Sequence, residues 1–460
     1  MKSPISGATA GLKKDIGLLG SFSLGFADVG ADIFLALGLI ATYALGAMPL
    51  AILAAAGVYF LTGLSYAELA SSIPVAGGAS IYGQRAFGRF AGFLGGWGLI
   101  LDYTIDIALF AVAAAGYLSF FFPLIRAFFP LVTMLVISIL VLVNLFGIRE
   151  SSSFNSALTL GSITLIIILI TVGLTQSFSI GTFLSSMKPI GVSPGIHDFF
   201  YSITLAMVAF IGIESISQGA EETKNPEKTL PRATMMAVAV VILFAFLISV
   251  LSLGVVAPQV LSKNVDNPLV ALANALPFSN ILVPLVAFAG FAICLVSANT
   301  GIIGVSRVTY SMSSQGLIPN LLKWIHPTFR TPWVAIIIFS VAAIALASLG
   351  DMFFLGELYA FGALTAYLIA NLSLIKLRFI EPDLPRPFKI PLNVCIHGKE
   401  IPVLAVLGII GCSVMLFLVA LLHEQGRNFA FLWFVGGIAY YVVRIRKERP
   451  KMRMIKRVSE

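Results

Sequence analysis

Twelve runs of apolar residues follow one another along this chain, most of them long enough to cross a bilayer as a helix. They cover residues 16–44, 48–73, 91–121, 128–146, 156–174, 199–219, 233–256, 281–311, 333–349, 352–379, 403–422 and 428–443. A crossing takes about 20 helical residues. Inside hydrocarbon every backbone N–H and C=O must be satisfied within the span, which leaves the helix as the solution for runs of this length. The fold class is therefore an all-α polytopic membrane protein with 12 transmembrane helices. Composition decides the same point: 11% of residues are charged and 58% hydrophobic, where a soluble domain carries about 25% charged residues.

Basic residues set the expected orientation. With Lys2, Lys13 and Lys14 inside, the even-numbered connections are cytoplasmic and hold Arg85, Arg89, Arg149, Lys224, Lys228, Arg232, Lys323, Arg330, Arg386, Lys389 and Lys399. The other side holds only Arg126, Lys188, Lys263 and Arg427. Both termini are thus expected in the cytoplasm. The net charge of +8 sits in these connections and in the tail, so it gives no reason to invoke nucleic acid. The tail reads first as a topology signal and second as a contact for anionic membrane lipid. The first apolar run is too long for the core of a cleavable signal peptide. Cys294, Cys395 and Cys412 lack metal-ligand spacing, and His197, His326, His397 and His423 are scattered. With no nucleotide or metal motif, the chain reads as no enzyme and as needing no cofactor.

Carboxylates inside the apolar runs point to function, because an ionisable group at membrane depth is costly unless paired, protonated or facing a cavity. In the first run, Asp28 and Asp32 lie among Gly25 and Gly30. In the sixth, Gly212 stands two residues before Glu214. Glycine near a carboxylate suggests a helix that opens there; a kinked packing helix with a protonated Glu214 is the plainer reading. Interruptions five spans apart suggest two five-helix repeats of inverted topology, with the two broken helices facing each other around a substrate. In the third run, Asp102 and Asp106 are i and i+4 and share a helical face; one shared proton in a structural role is the alternative. The expected organisation is a cytoplasmic N-terminus at 1–15, a first repeat at 16–180, a second at 197–380, helices 11 and 12 at 402–443 and a basic tail at 444–460. The sixth run is expected to end in a charged loop from Glu221 that is closed by Pro231 and Arg232.

Three stretches carry a family resemblance. FIGIESISQGAEETKNPEKTLPRA, from Phe210 to Ala233, resembles the sixth helix and following loop of the amino acid–polyamine–organocation transporters. YAELASSIPVAGGASIYGQRAFG, from Tyr66 to Gly88, is similar to their second helix and its loop. SANTGIIGVSRVTYSMSSQGLIPNLLKWIHPTFRTP, from Ser297 to Pro332, is similar to their eighth. The resemblance implies a LeuT-like inverted repeat plus two C-terminal helices. It also implies ATP-independent secondary transport of amino acids or amines across the plasma membrane. It places the substrate subsite on Gly30, Ala31 and Asp32, and on Val208, Phe210, Gly212 and Glu214. Ser162 falls where many members have a lysine in a sodium-like position.

The departures suggest cargo. Asp32 stands where the family has glycine, beside the expected carboxylate subsite, and an ionised Asp32 would repel that carboxylate. Either it is protonated, or it turns away, or the substrate is not an ordinary neutral amino acid. With Asp28, Asp102, Asp106 and Glu214 it suggests an acidic cavity for a cationic amino acid or amine. A proton is the first choice of coupling ion, through Glu214. Sodium is second, through Ser162, Ser297 and Thr300. An inorganic cation (K+-type) transporter or channel-like protein on the same fold is the alternative, and a sensor that binds without transport is a third. A partner protein is not implied.

Overall fold

A computed structural model describes residues 14–147, 152–349, 351–396 and 399–459. Lys2, Lys13, Arg149 and His397 lie outside the described residues, as does most of the expected N-terminal segment. The chain is almost wholly helical: α1 (Leu18–Ala44), α2 (Met48–Ser72), α3 (Ala79–Phe87), α4 (Arg89–Leu118), α5 (Phe129–Leu145), α6 (Ser152–Val172), α7 (Ile180–Ser186), α8 (Ile196–Ala206) and α9 (Ser215–Gln218) come first. They are followed by α10 (Pro226–Val255), α11 (Pro258–Ser262), α12 (Pro268–Asn274), α13 (Ser279–Ser314), α14 (Trp333–Ser348) and α15 (Met352–Ile380). A short antiparallel hairpin, β1 (Asn393–Ile396) with β2 (Lys399–Pro402), precedes α16 (Val403–Leu422) and α17 (Glu424–Ser459).

Among the described residues, nine segments are long and apolar enough to cross a membrane. The first of them, Leu18–Ser72, is 55 residues long and contains both α1 and α2. The 16 residues of α14 are short for a crossing on their own. This is a polytopic membrane protein. The lipid-facing surface has the inverse of aqueous patterning: on α5, Leu131, Leu135, Ile139 and Leu142 form an exposed apolar stripe, which hydrocarbon solvates without cost.

Two helices are buried almost all round. The apolar centre of α4 is enclosed completely, and most of α1 is enclosed as well. α4 packs on α13 and α15, while α1 packs on α8, α10 and α13. Small residues allow the close approach. A Cβ on Gly362 of α15 would lie 2.7 Å from the Asp102 backbone nitrogen, so only glycine lets α15 meet α4 there.

At one end of the bundle a buried ion pair ties α2 to α15 and to the chain beyond it. Arg378 donates from Nε and Nη2 to the two oxygens of Glu68, at 2.9 and 2.6 Å. The Ile390 N–H reaches the same carboxylate at 2.8 Å and Arg386 lies 3.4 Å away. Such a paired, bidentate carboxylate is satisfied, whereas losing one partner would strand a buried charge.

Two expectations change. The first helix is not interrupted: α1 is helical from Leu18 to Ala44 through Gly25, Asp28, Gly30 and Asp32. The charged loop after the sixth run is also shorter than expected. It ends at Asn225, in the left-handed region, and α10 starts at Pro226, so Lys228, Pro231 and Arg232 are helical. Proline fits the first helical position, where its missing N–H has no partner to lose.

Candidate functional site

The sixth apolar run does open. α8 ends at Ala206, a 3-10 turn covers Met207–Phe210, Ile211 is extended and helix resumes only at Ser215. Gly212 sets the break with a φ of +111°, and a Cβ on it would lie 2.8 Å from the Asp28 carboxyl carbon. Only glycine combines that torsion with that approach. Opening a helix frees backbone groups that must then find partners. Tyr367 of α15 supplies them: its hydroxyl accepts from the Gly212 N–H at 3.2 Å and lies 3.4 Å from the Phe210 carbonyl. The same hydroxyl lies 3.1 Å from Glu214 Oε2, so one tyrosine meets both the opened backbone and the carboxylate beside it.

Around this break the structure gathers the carboxylates singled out in the sequence. Asp28 and Asp32 come from α1, Asp102 and Asp106 from α4, and Glu214 from the break itself; all five are buried. Asp28 accepts hydrogen bonds from Ser215 Oγ and, at 3.1 Å, from Ser297 Oγ of α13. Ser297 also lies 3.5 Å from Asp106 Oδ1, which Tyr359 of α15 reaches at 3.3 Å. Gly301 makes room for Asp106, since a Cβ there would collide with Oδ2. Asp102 and Glu214 face each other within hydrogen-bonding reach. A hydrogen bond between two carboxyl groups needs one proton between them.

Several oxygens in this cluster make no well-formed hydrogen bond among the described residues: both of Asp32, which the Ile211 N–H approaches, Oδ1 of Asp102, Oδ2 of Asp106 and Oε1 of Glu214. Nor does a lysine or arginine pair with any of the five acids among the described residues. The basic partners in this molecule serve other acids, as Arg378 serves Glu68 and Arg307 serves Glu222 at 2.8 Å. Buried polar atoms are normally satisfied, so a concentration of unmet acceptors marks a place built for something else.

The other expected residues distribute as follows. Gly30 and Ala31 are buried within continuous α1, where a Cβ on Gly30 would meet the ring of Phe26 at 2.6 Å. Val208 and Phe210 are buried in the 3-10 turn, and the Phe210 ring lies 5.3 Å from that of Tyr59. Ser162 is buried on α6, which packs on α1 and α13. Thr300 turns its hydroxyl back to Val296 of its own helix at 3.1 Å. Sequence reading missed Tyr367, Tyr359 and Ser215. The eight-residue interval between the two tyrosines puts them near one face of α15, a periodicity that was available in the sequence.

The second half of α8 is anchored by another buried group. Tyr201 donates to Glu357 Oε1 at 2.6 Å, and Thr204 Oγ1 lies 2.5 Å from His423 Nε2. His423 follows the last residue of α16, and burial pushes its imidazole down to about 3.

Comparison with known proteins adds a family match. The model for the amino acid permease family covers residues 16–443. The chain is 29% identical to the branched-chain amino acid permease BcaP of Bacillus subtilis, over 96% of this chain and 95% of that protein. It is 28% identical to the vacuolar cationic amino acid transporter 4 of Arabidopsis thaliana, over 77% of this chain and 61% of that protein. It is also 28% identical to the cystine/glutamate transporter of Pongo abelii, over 85% of this chain and 79% of that protein. These names span neutral, cationic and acidic cargo at nearly equal identity, so overall similarity leaves cargo charge to the site.

Proposed function

The chain belongs to the amino acid permease family and is a membrane transporter rather than an enzyme, and on that premise we propose that it carries a cationic amino acid or a related amine. The observation that supports this is the group of five buried carboxyls, Asp28, Asp32, Asp102, Asp106 and Glu214, with no basic partner among the described residues. A cation entering would give these groups the counter-charge that the protein withholds. A second carboxylate on the cargo would meet repulsion, which is strong where water is excluded. The backbone opened at Gly212 lies beside Asp28 and Glu214 and offers polar main-chain groups to the amino acid moiety. On this reading Phe210, Val208, Gly30 and Ala31 wall the cargo space.

Transport is proton-coupled in this proposal. The facing Asp102 and Glu214 carboxyls give a proton a place to be held and released. The chain crosses the plasma membrane twelve times with both termini cytoplasmic, as two inverted five-helix repeats and two further helices. Access alternates by movement of the segment around Gly212 against α1, which stays continuous. Glu214→Gln should cut uptake at least about tenfold and flatten its response to an imposed pH gradient. It should leave the unfolding midpoint near that of the parent, because an amide can still meet Tyr367. Parent-like uptake by this variant across about pH 5 to 8 rules out the coupling role.

An inorganic cation is the competing cargo, because unmet carboxylate oxygens attract either kind. Among the described residues, no three acidic, histidine or cysteine side chains converge in a way that could hold a metal ion. That disfavours a tightly ligated metal ion but does not bear on K+, which main-chain and hydroxyl oxygens can hold. A thermal-shift screen separates the two. Stabilisation by arginine or a diamine supports the proposal, and stabilisation by K+ alone overturns it.

A further inference from the structure

Near its C-terminal end α15 leaves one stripe uncovered by protein. Leu372, Lys376 and Phe379 follow helical spacing along it, and the flanking walls come from Phe87 of α3 and Ile409 of α16. Lys399, at the start of β2, closes the end of the groove. The space encloses about 470 Å3. Its walls are apolar, yet two ammonium groups stand at its margin. The Lys399 ammonium lies 5.0 Å above the Phe379 ring, an arrangement that holds a cation in place without neutralising it. Neighbouring charges are already matched. Arg85 pairs with Glu381 at 2.6 Å, Arg378 is bidentate on Glu68, and Glu400 pairs with Lys389. Among the described residues, Lys376 and Lys399 have no carboxylate partner in an ion pair.

We propose that this groove is a binding site for an anionic phospholipid, with the acyl chain along Leu372, Phe379 and Ile409 and the headgroup phosphate between Lys376 and Lys399. Charge complementarity selects the occupant. An apolar groove on the outside of a membrane protein meets acyl chains in any case, and two unmatched cations at its end select a lipid of net negative charge over a zwitterionic one. This site is separate from the carboxylate cluster and does not depend on what the protein transports.

The test uses the full chain, purified in neutral detergent and titrated with phosphatidylglycerol or with phosphatidylcholine, reading retained lipid by native mass spectrometry and the unfolding midpoint. Phosphatidylglycerol should be retained and should raise the midpoint progressively, while phosphatidylcholine does neither. The K376Q/K399Q double variant should lose roughly tenfold or more in apparent phosphatidylglycerol affinity, since each lysine near anionic lipid contributes about a fivefold factor. K376R/K399R should keep it. Equal response to the two lipids overturns the proposal, as does unchanged affinity in the glutamine variant. A loss shared equally by the arginine variant would assign the effect to packing and overturn the headgroup assignment.

Discussion

Helix α1 and the segment from Ile196 to Gln218 carry the same local sequence signal and respond to it differently. Each is buried, and each has glycine two residues before an acid: Gly30 before Asp32, Gly212 before Glu214. α1 remains a helix through that point, whereas the second opens. The difference lies in what each segment meets. Gly30 faces Phe26 of its own helix. The backbone around Gly212 faces Tyr367, whose hydroxyl meets both the N–H of Gly212 and the carbonyl of Phe210. α1 also receives a tyrosine, but Tyr117 only donates to the Phe34 carbonyl, which asks nothing of the helix. Glycine thus permits a break, and an external partner for the freed backbone groups makes it affordable inside a membrane.

The comparison can be broken most sharply at the two glycines. Gly212→Ala must adopt a positive φ, at a cost of about 1–3 kcal/mol, and must also displace the Asp28 carboxyl. Uptake should fall more than about tenfold and the unfolding midpoint should drop. Gly30→Ala pushes only on the Phe26 ring, with strain on the order of 1 kcal/mol, and should cost clearly less in both assays. A Gly30 variant as damaged as the Gly212 variant would show that α1 also depends on opening there.

The tyrosines sharpen it next. Tyr367→Phe strands a buried N–H and removes the hydroxyl at Glu214, where each unmet group costs about 1–3 kcal/mol. Tyr359→Phe removes one hydroxyl from Asp106 and leaves Ser297 nearby. The first should lower the midpoint and uptake more than the second, and the reverse order would remove Tyr367 as the support of the break.

The last prediction concerns the anchor of α8. His423 is held at about 3 in the folded protein against an ordinary value of 6.5. The unfolded chain therefore takes up the proton first, and stability is lost as pH falls from about 6.5 toward 3, by at most about 1.4 kcal/mol per pH unit from this group. His423→Gln should flatten the fall of the unfolding midpoint between about pH 7 and 5. An identical slope in parent and variant would show that the imidazole is not what titrates.

The helical runs were legible because lipid permits few alternatives: the apolar stretches at 91–121 and 281–311 coincide with α4 and α13 to within a few residues. The acids were legible too, since Asp28, Asp102 and Glu214 stand out in apolar surroundings. Their meeting depends on long-range packing, and so does the fate of each glycine. Nothing within the first run says that Gly30 will face Phe26, and nothing near Gly212 says that Tyr367, more than 150 residues later, will take up its N–H. The start of α10 at Pro226 was readable from proline chemistry alone, but the charge of Lys224, Lys228 and Arg232 suggested loop. Thr300 shows a further limit: that its hydroxyl donates to Val296 of its own helix cannot be read from the run.

The central claim is that an acid cluster with no basic partner among the described residues selects positively charged cargo, and competition for uptake tests it most directly. Radiolabelled arginine uptake into proteoliposomes would be challenged with putrescine, leucine and glutamate, in the parent and in the Asp32→Gly and Asp102→Asn variants. The account predicts that putrescine competes well and glutamate poorly in the parent. Asp32→Gly should shift preference toward leucine, and Asp102→Asn should weaken arginine more than leucine. Glutamate competing as well as putrescine in the parent, with the order unchanged in both variants, would contradict it.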